Sequence, residues 1–307
     1  MSHPCLLFST RRYAYLESAI AREGNHEQGL VVRQEFPDGE HYRRIDTPVN
    51  NRHVALIGGT VSDEDTLEIF DLATALVMEG CLSLTLVIPY FGYSTMERAV
   101  RPGEVVTAKT RAMLLSAIPR ASEGDRVVML DLHSEGLPYY FEGSLRPAHL
   151  YAKTLIKEAA RELAGNDFVL ACTDAGRAKW VESLANDLGV RPAFVFKRRL
   201  SGDKTEVSAV SAQVDAQHVV IYDDMIRTGG SLIEAAASYK AAGARRISAI
   251  ATHGVFPEGA VAKIRATGLF DQLVVTDSHP RAIAAQDDFV TVKSIAGLVS
   301  AHLRSSI

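Results

Sequence analysis

Asp223 and Asp224 stand side by side after the apolar run His218-Val-Val-Ile-Tyr222, and the turn Thr228-Gly229-Gly230-Ser231 follows them. Together these residue types can hold a small anionic, hydroxyl-rich ligand. Glycines let the backbone approach a bound anion, and hydroxyls with the amides of a helix N-terminus donate to it. Paired carboxylates suit the vicinal hydroxyls of a ribose, from which they accept hydrogen bonds. A second reading of the same residues is a plain strand–turn–helix with Ser231 as N-cap.

Such a site needs a scaffold, and the chain supplies an alternating one. Strand patterns at His53–Gly58, Leu82–Pro89 and Arg126–Leu132 are separated by helical patterns at Asp65–Glu79 and Ala108–Ile118. In Asp65–Glu79 the apolar residues Leu67, Ile69, Phe70, Leu72, Ala73, Leu76 and Val77 follow a 3.6-residue period. After Ala148 the rhythm restarts: helix Ala152–Leu163, strand Phe168–Cys172, helix Lys179–Leu188 and strand Ala193–Phe196. It continues with strand His218–Tyr222, helix Ser231–Ala242, strand Ile247–Thr252, helix Ala260–Ala266 and strand Gln272–Thr276. Alternation of this kind predicts α/β architecture, with mainly parallel sheets flanked by helices. The break near residue 148 predicts two domains, 1–148 and 149–307. Each half ends a strand in a polar turn, DLHSEG at 131–136 and YDDMIRTGGS at 222–231. Open α/β sheets bind ligands at the carboxyl ends of their strands.

Bulk composition narrows the class. The chain has 307 residues, 47% hydrophobic and 23% charged, which describes a globular protein. A net charge of −4 argues against a general nucleic-acid binder. No apolar run is long enough for a bilayer, and the N-terminal patch precedes Arg11 and Arg12, the reverse of a secretory signal. Cys5, Cys81 and Cys172 are too scattered to pair as metal ligands, so reduced thiols and a cytoplasmic location are expected.

The Val219–Ser231 stretch resembles the ribose 5-phosphate-binding signature shared by type I phosphoribosyltransferases and ribose-phosphate pyrophosphokinases. Further segments resemble the second family, in its order. They are Phe36-Pro-Asp-Gly-Glu40, Ile88-Pro-Tyr-Phe-Gly-Tyr93 with Thr107-Ala-Lys109, and Asp131-Leu-His133. Thr173-Asp-Ala-Gly-Arg177, Lys197-Arg-Arg199, Thr252-His-Gly-Val-Phe256 and Val274-Val-Thr-Asp277 complete the set. The resemblance implies two tandem phosphoribosyltransferase type I-like domains, the first on the ATP side and the second on the sugar-phosphate side. It implies transfer of the β,γ-diphosphate of ATP to the C1 hydroxyl of ribose 5-phosphate, with Mg2+ held near His133 and Asp174. Lys197 and Arg199, with His133, are implied as catalytic. Phe36, Asp38, Glu40 and Arg98 are implied on the ATP, the first three reaching it from a neighbouring subunit of a dimer or hexamer. Asp223, Asp224, Arg227, Thr228, Gly229, Gly230, Ser231 and Arg177 are implied on the sugar phosphate. No membrane or nucleic-acid partner is implied.

Departures from the family pattern fall inside these motifs. Thr95 and Met96 stand where the family has an arginine and a glutamine. Arg177 replaces the second glycine of P-D-x-G-G, and Arg227 replaces an acid before the T-G-G turn. Segment 134–148 also lacks the family's usual Q-x-x-G-F-F spacing. Added arginines can contact anionic oxygens. They raise the alternative of a diphosphate-bearing acceptor such as ADP-ribose, against the simpler reading that they pair with nearby acids. A catalytically silent regulatory homologue and a phosphoribosyltransferase are further alternatives. Retention of the charged motif residues argues against the first. The D-L-H and FPDGE segments, with the two-fold rhythm, argue against the second.

Overall fold

In the computed structural model, residues 5–201, 204–210 and 213–306 are described, the side chains of 175, 196–201, 204–210 and 306 excepted. In chain order the strands are β1 Leu6–Ser9, β2 Glu27–Gln28, β3 Val31–Glu35, β4 His41–Ile45, β5 His53–Ile57, β6 Ser83–Ile88, β7 Gly124–Leu130 and β8 Leu145–Leu150. They continue as β9 Val169–Cys172, β10 Arg191–Ala193, β11 Val195–Ser201, β12 Lys204–Val210, β13 His218–Ile226, β14 Arg246–Gly254, β15 Leu273–Thr276 and β16 Val290–Lys293. The helices are α1 Ala14–Gly24, α2 Asp63–Met78, α3 Thr107–Ser116, α4 Lys153–Ala164, α5 Ala178–Leu188, α6 Gly230–Ala241, α7 Ala260–Ala266, α8 Pro280–Ala284 and α9 Ala296–Ser306.

The chain divides into two compact units, Met1–Tyr151 with Ile295–Ile307, and Ala152–Ser294. Residue 148 lies inside β8, which pairs in parallel with β7 and so belongs to the first sheet. The first unit therefore runs on to Tyr151. It also recovers the C-terminal helix, because α9 packs on α1 and Ser300 Oγ sits 3.4 Å from His26 Nε2.

One topology serves both units. The first sheet has the order β2-β1-β5-β6-β7-β8 and the second β10-β9-β13-β14-β15-β16, all pairs parallel. In each, an antiparallel hairpin (β3–β4, then β11–β12) is inserted between the second and third strands in sequence. The central strands carry side chains into a core on both faces, which is why they read as continuous apolar runs. Phe8, Leu56, Leu86 and Met129 belong to the core of the first unit, and Val169, Ile221, Ala249 and Val275 to that of the second.

Several elements differ from the sequence expectation. Strand β13 runs to Ile226 instead of ending at Tyr222, because β14 pairs with it as far as Ile226↔Gly254. Asp223 and Asp224 are thus strand residues and not turn residues. Neither hairpin is visible as a period-2 pattern, and both enclose motifs: FPDGE is the tip of β3–β4, and Lys197-Arg-Arg199 lies on β11.

Tyr239 of α6 ties the sheet to the turn that follows β9. Its buried hydroxyl lies 3.0 Å from the Cys172 carbonyl oxygen and 3.3 Å from that of Ala193, so it donates at the ends of β9 and β10. Tyr239→Phe removes this donor and leaves the carbonyls behind. We expect a loss of about 1–2 kcal/mol from the second unit, read as a lower urea midpoint. An unchanged midpoint would show that the tie contributes nothing.

Candidate active site

At the carboxyl end of the second sheet, parallel pairing of Tyr222 with Cys172 sets the next residue of each strand side by side. Thr173 Oγ1 consequently donates to Asp223 Oδ2 at 2.8 Å, and the Asp224 amide donates to Asp223 Oδ1 at 2.9 Å. Burial, and secondarily the neighbouring Asp224 carboxylate, push the Asp223 carboxyl up to about 8. The Thr173 hydrogen bond pulls the other way without reversing the shift.

Asp224 is held differently. Its Oδ2 lies 2.7 Å from Arg177 Nη2, with only 4% of the acid side chain and 18% of the arginine exposed. Arg177 ends a short 3-10 turn, Ala175–Arg177, and leads into α5. One turn on, Trp180 stacks on Tyr222 with ring centroids 4.4 Å apart. Residues 177 and 180 of the helix start thus meet residues 224 and 222 of one strand. Helical i, i+3 spacing against strand i, i+2 spacing puts both contacts on one face. Neither Thr173 nor Trp180 was singled out from sequence, although Trp180 lies on the helical face of Arg177.

Asp174 closes an Asx turn, its Oδ1 accepting from the Gly176 amide at 2.8 Å. The residue is otherwise exposed. Past β13, Arg227 and Thr228 are exposed, and Arg227 makes no salt bridge among the described residues. Gly229 has φ +77°, and a Cβ there would lie 2.5 Å from Ile264 Cγ1. Only glycine fits. Helix α6 begins at Gly230 with Gly229 as N-cap and no side-chain cap. Ser231 is therefore not the cap, and the first amides of α6 lack a capping side chain. Among the sequence-derived sugar-phosphate residues, the second unit brings Arg177 onto Asp224, and the Thr228–Ser231 turn begins four residues after that acid.

The first unit builds its own cluster at strand ends. Gly92 admits the Thr60 carbonyl oxygen to within 2.0 Å of where a Cβ would stand, and its amide donates to Thr60 Oγ1 at 2.7 Å. Tyr93, at φ +59°, donates its hydroxyl to Asp63 Oδ1 at 2.8 Å, and Arg111 Nη2 lies 2.7 Å from the same oxygen. Tyr93 and Arg111 hold the Asp63 carboxyl below its ordinary range. The Arg111 guanidinium also lies 5.1 Å from the Tyr93 ring centroid. This clasp fixes the loop carrying Thr95, Met96 and Arg98 and was not expected from sequence. Arg98 itself projects, 79% exposed and 3.6 Å from Glu97 Oε1. His133 is exposed just after β7, beyond Asp131 at φ +36° and Leu132, whose amide donates to His149 Nε2 at 2.9 Å.

Phe36, Asp38 and Glu40 are exposed at the tip of the β3–β4 hairpin. That tip is closed by Phe36 N–H to Glu40 O and by Glu40 N–H to Asp38 Oδ1. A cleft of about 540 Å3 at the hairpin's base is lined by Arg12, Arg33 and Arg43 among others. These arginines pair with Asp65, Glu68 and Asp71, so its charge is already balanced. The side chains of Lys197 and Arg199 lie outside the described residues. His133 belongs to the first unit and Asp174 to the second.

Among the described residues, no three His, Cys, Asp or Glu side chains converge as a metal cage. An exposed Asp174 carboxylate with one oxygen engaged by backbone is nevertheless a fitting ligand for magnesium. That ion keeps most of its waters and takes few protein ligands.

Residues 5–118 match the family described as the N-terminal domain of ribose phosphate pyrophosphokinase, and residues 184–305 the phosphoribosyl synthetase-associated domain. The ribose-phosphate pyrophosphokinase of Ralstonia nicotianae is 30% identical over 303 residues, spanning 97% of this chain and 94% of that one. The ribose-phosphate pyrophosphokinase of Gloeobacter violaceus is 31% identical over 296 residues, 95% of this chain and 87% of its own. Among solved structures, the phosphoribosylpyrophosphate synthetase of Mycobacterium smegmatis superposes with a TM-score of 0.87. It is 26% identical, with 99% of each chain covered.

The raised Asp223 carboxyl gives a pH signature. Folded Asp223 keeps a proton up to about 8, whereas in the unfolded chain it releases it near 4. The folded state therefore binds more protons across that window, and stability falls as pH rises through it. Asp223→Asn removes the titration. We expect the variant to match the parent below about pH 4 and to exceed it at pH 8.5 by more than about 1 kcal/mol, one pKa unit's worth, in urea unfolding. Parallel pH profiles would contradict this.

Proposed function

The chain belongs to the ribose-phosphate pyrophosphokinase family, and from that premise we propose that it transfers the β,γ-diphosphate of ATP to the C1 hydroxyl of ribose 5-phosphate. The C1 oxygen forms a bond to the β-phosphorus, the bond from that phosphorus to the α,β-bridging oxygen breaks, and AMP leaves with the bridging oxygen. The hydroxyl proton is released. The observation that carries this reading is the acid pair near the end of β13, followed by a helix N-terminus without a side-chain cap. Carboxyls take the ribose hydroxyls, while the Thr228 hydroxyl and the amides of Gly229, Gly230 and Ser231 take the 5-phosphate.

The remaining roles follow from charge. Transfer of this kind needs positioning and neutralisation more than covalent help. Lys197 and Arg199 supply cations to the transferring oxygens, and Arg98 with the Phe36, Asp38 and Glu40 hairpin tip serves the nucleotide, the tip in a neighbouring subunit of a homo-oligomer. His133 and Asp174 would hold the magnesium ion, whose charge offsets that of the phosphates. The setting is the cytoplasm; no helix among the described residues is long and apolar enough to cross a membrane.

A longer acceptor such as ADP-ribose keeps one observation in its favour. Arg177 is spent on Asp224, but Arg227 is exposed beside the phosphate turn and makes no salt bridge among the described residues. The two acceptors are separated by measuring AMP formed from ATP with magnesium and inorganic phosphate present. We expect AMP only when ribose 5-phosphate is added; AMP with ADP-ribose alone would move the assignment to the longer acceptor, and AMP with neither would leave no catalytic reading. If Arg227 holds a longer acceptor, Arg227→Asp should weaken the binding of ADP-ribose relative to ribose 5-phosphate by about tenfold, one charge-assisted contact. An unchanged ratio removes Arg227 from acceptor choice. Lys197→Ala and Arg199→Ala should each lower kcat by about 10²–10³-fold with little change in the KM for ribose 5-phosphate.

A further inference from the structure

Three carboxyl groups, Asp174, Asp223 and Asp224, come from the ends of two adjacent strands, whose register sets Thr173 against Asp223. Asp224 is buried, Asp223 half-buried and Asp174 exposed, and the buried acid requires a counter-charge, because an unpaired buried carboxylate costs several kcal/mol or takes up a proton. Two solutions are chemically available: a hydrated divalent cation, or a basic side chain. Asp223 is served by the Thr173 hydroxyl and a backbone amide, neither of which brings net charge. Asp224 is served by Arg177.

The position of Arg177 is fixed independently of that ion pair. Its helix start is anchored by Trp180 on Tyr222, two residues along the same strand face from Asp224. The guanidinium is therefore delivered to Asp224 by packing as well as by attraction. Glycine at 177, the residue usual in the sequence pattern, would leave this edge open to a hydrated ion.

We propose that Arg177 is the resident counter-ion of the acid pair, taking the place of a divalent cation at Asp224, so that the sugar binds here without a metal ion of its own. This rests on the assignment of the acid pair to the sugar and concerns a position separate from the magnesium expected at His133 and Asp174. A guanidinium keeps its charge at every working pH and is not removed by a chelator.

The test counts metal ions and needs no turnover. Mn2+ is titrated into the nucleotide-free, full-length protein and free ion is read by electron paramagnetic resonance. Arg177→Gly should bind one Mn2+ more than the parent, and Asp224→Asn added to it should abolish the extra site. Arg177→Gln, which keeps bulk without charge, serves as the second variant should the glycine form fail to fold, with the same gain expected. In parallel, ribose 5-phosphate binding is measured calorimetrically in EDTA and in Mg2+. The parent Kd should be the same in both, while the uncharged variants should bind at least tenfold more weakly in EDTA and recover with Mg2+. No extra Mn2+ in either variant, or a tenfold loss of parent affinity in EDTA, overturns the proposal. A parent that binds no ribose 5-phosphate under any condition defeats the functional assignment instead, and the Mn2+ count still decides the role of Arg177.

Discussion

Placing two consecutive aspartates, one half-buried and one buried, at the end of a central strand is the constraint around which the second unit is built. Neither acid can reach full hydration, so each needs a specific remedy. Asp223 receives a hydroxyl and an amide and retains a proton; Asp224 receives a guanidinium. Those remedies dictate neighbouring structure. The β9–β13 register must place Thr173 beside Asp223, and the start of α5 must bring Arg177 over Asp224. Tyr239 holds the carbonyl ends of β9 and β10 from beneath, and Trp180 on Tyr222 pins the helix start from the other face. The polar edge is thus held by hydrogen bonds from one tyrosine and by an aromatic stack on another.

The same strand order occurs in both units, yet their strand ends are furnished differently. Where the second unit carries an acid pair on its third main strand and follows that strand with a glycine turn, the first follows β5 with the acid-rich opening of α2, capped by Ser62. Its Asp63 is consumed by Tyr93 and Arg111, which fasten a long loop. Repeated topology supplies two equivalent edges, and the side chains placed there furnish one with an acid pair paired to an arginine and the other with an anchor for a long loop. The inserted hairpins occupy the same place in each repeat and carry the FPDGE tip in one case and the Lys197-Arg-Arg199 segment in the other.

Much of this was legible in the sequence. Long central strands and amphipathic helices announced themselves, since burial on both faces leaves unbroken apolar runs and one-sided packing leaves a 3.6-residue period. The acid pair and the T-G-G turn were visible as residue types. What escaped was set by partners distant in the chain. Strand β13 extends past its apolar run because β14 continues alongside, which no local propensity encodes. The hairpins were hidden because β3 and β4 are half-exposed and polar, with no strict alternation. Ser231 reads as a cap by type, but the left-handed Gly229, pressed against Ile264, starts the helix earlier. Arg177 was recognised as a departure; that it faces Asp224 depends on how α5 docks.

The reaction is defined by the group transferred and the atom that receives it. Phosphorus-31 NMR of the products formed from ATP and ribose 5-phosphate tests this most directly. It should show AMP together with a sugar bearing an intact 5-phosphomonoester and a pair of mutually coupled diphosphate resonances, the inner one coupled to the C1 hydrogen. ADP with a new sugar monophosphate, or AMP with free pyrophosphate, would contradict it.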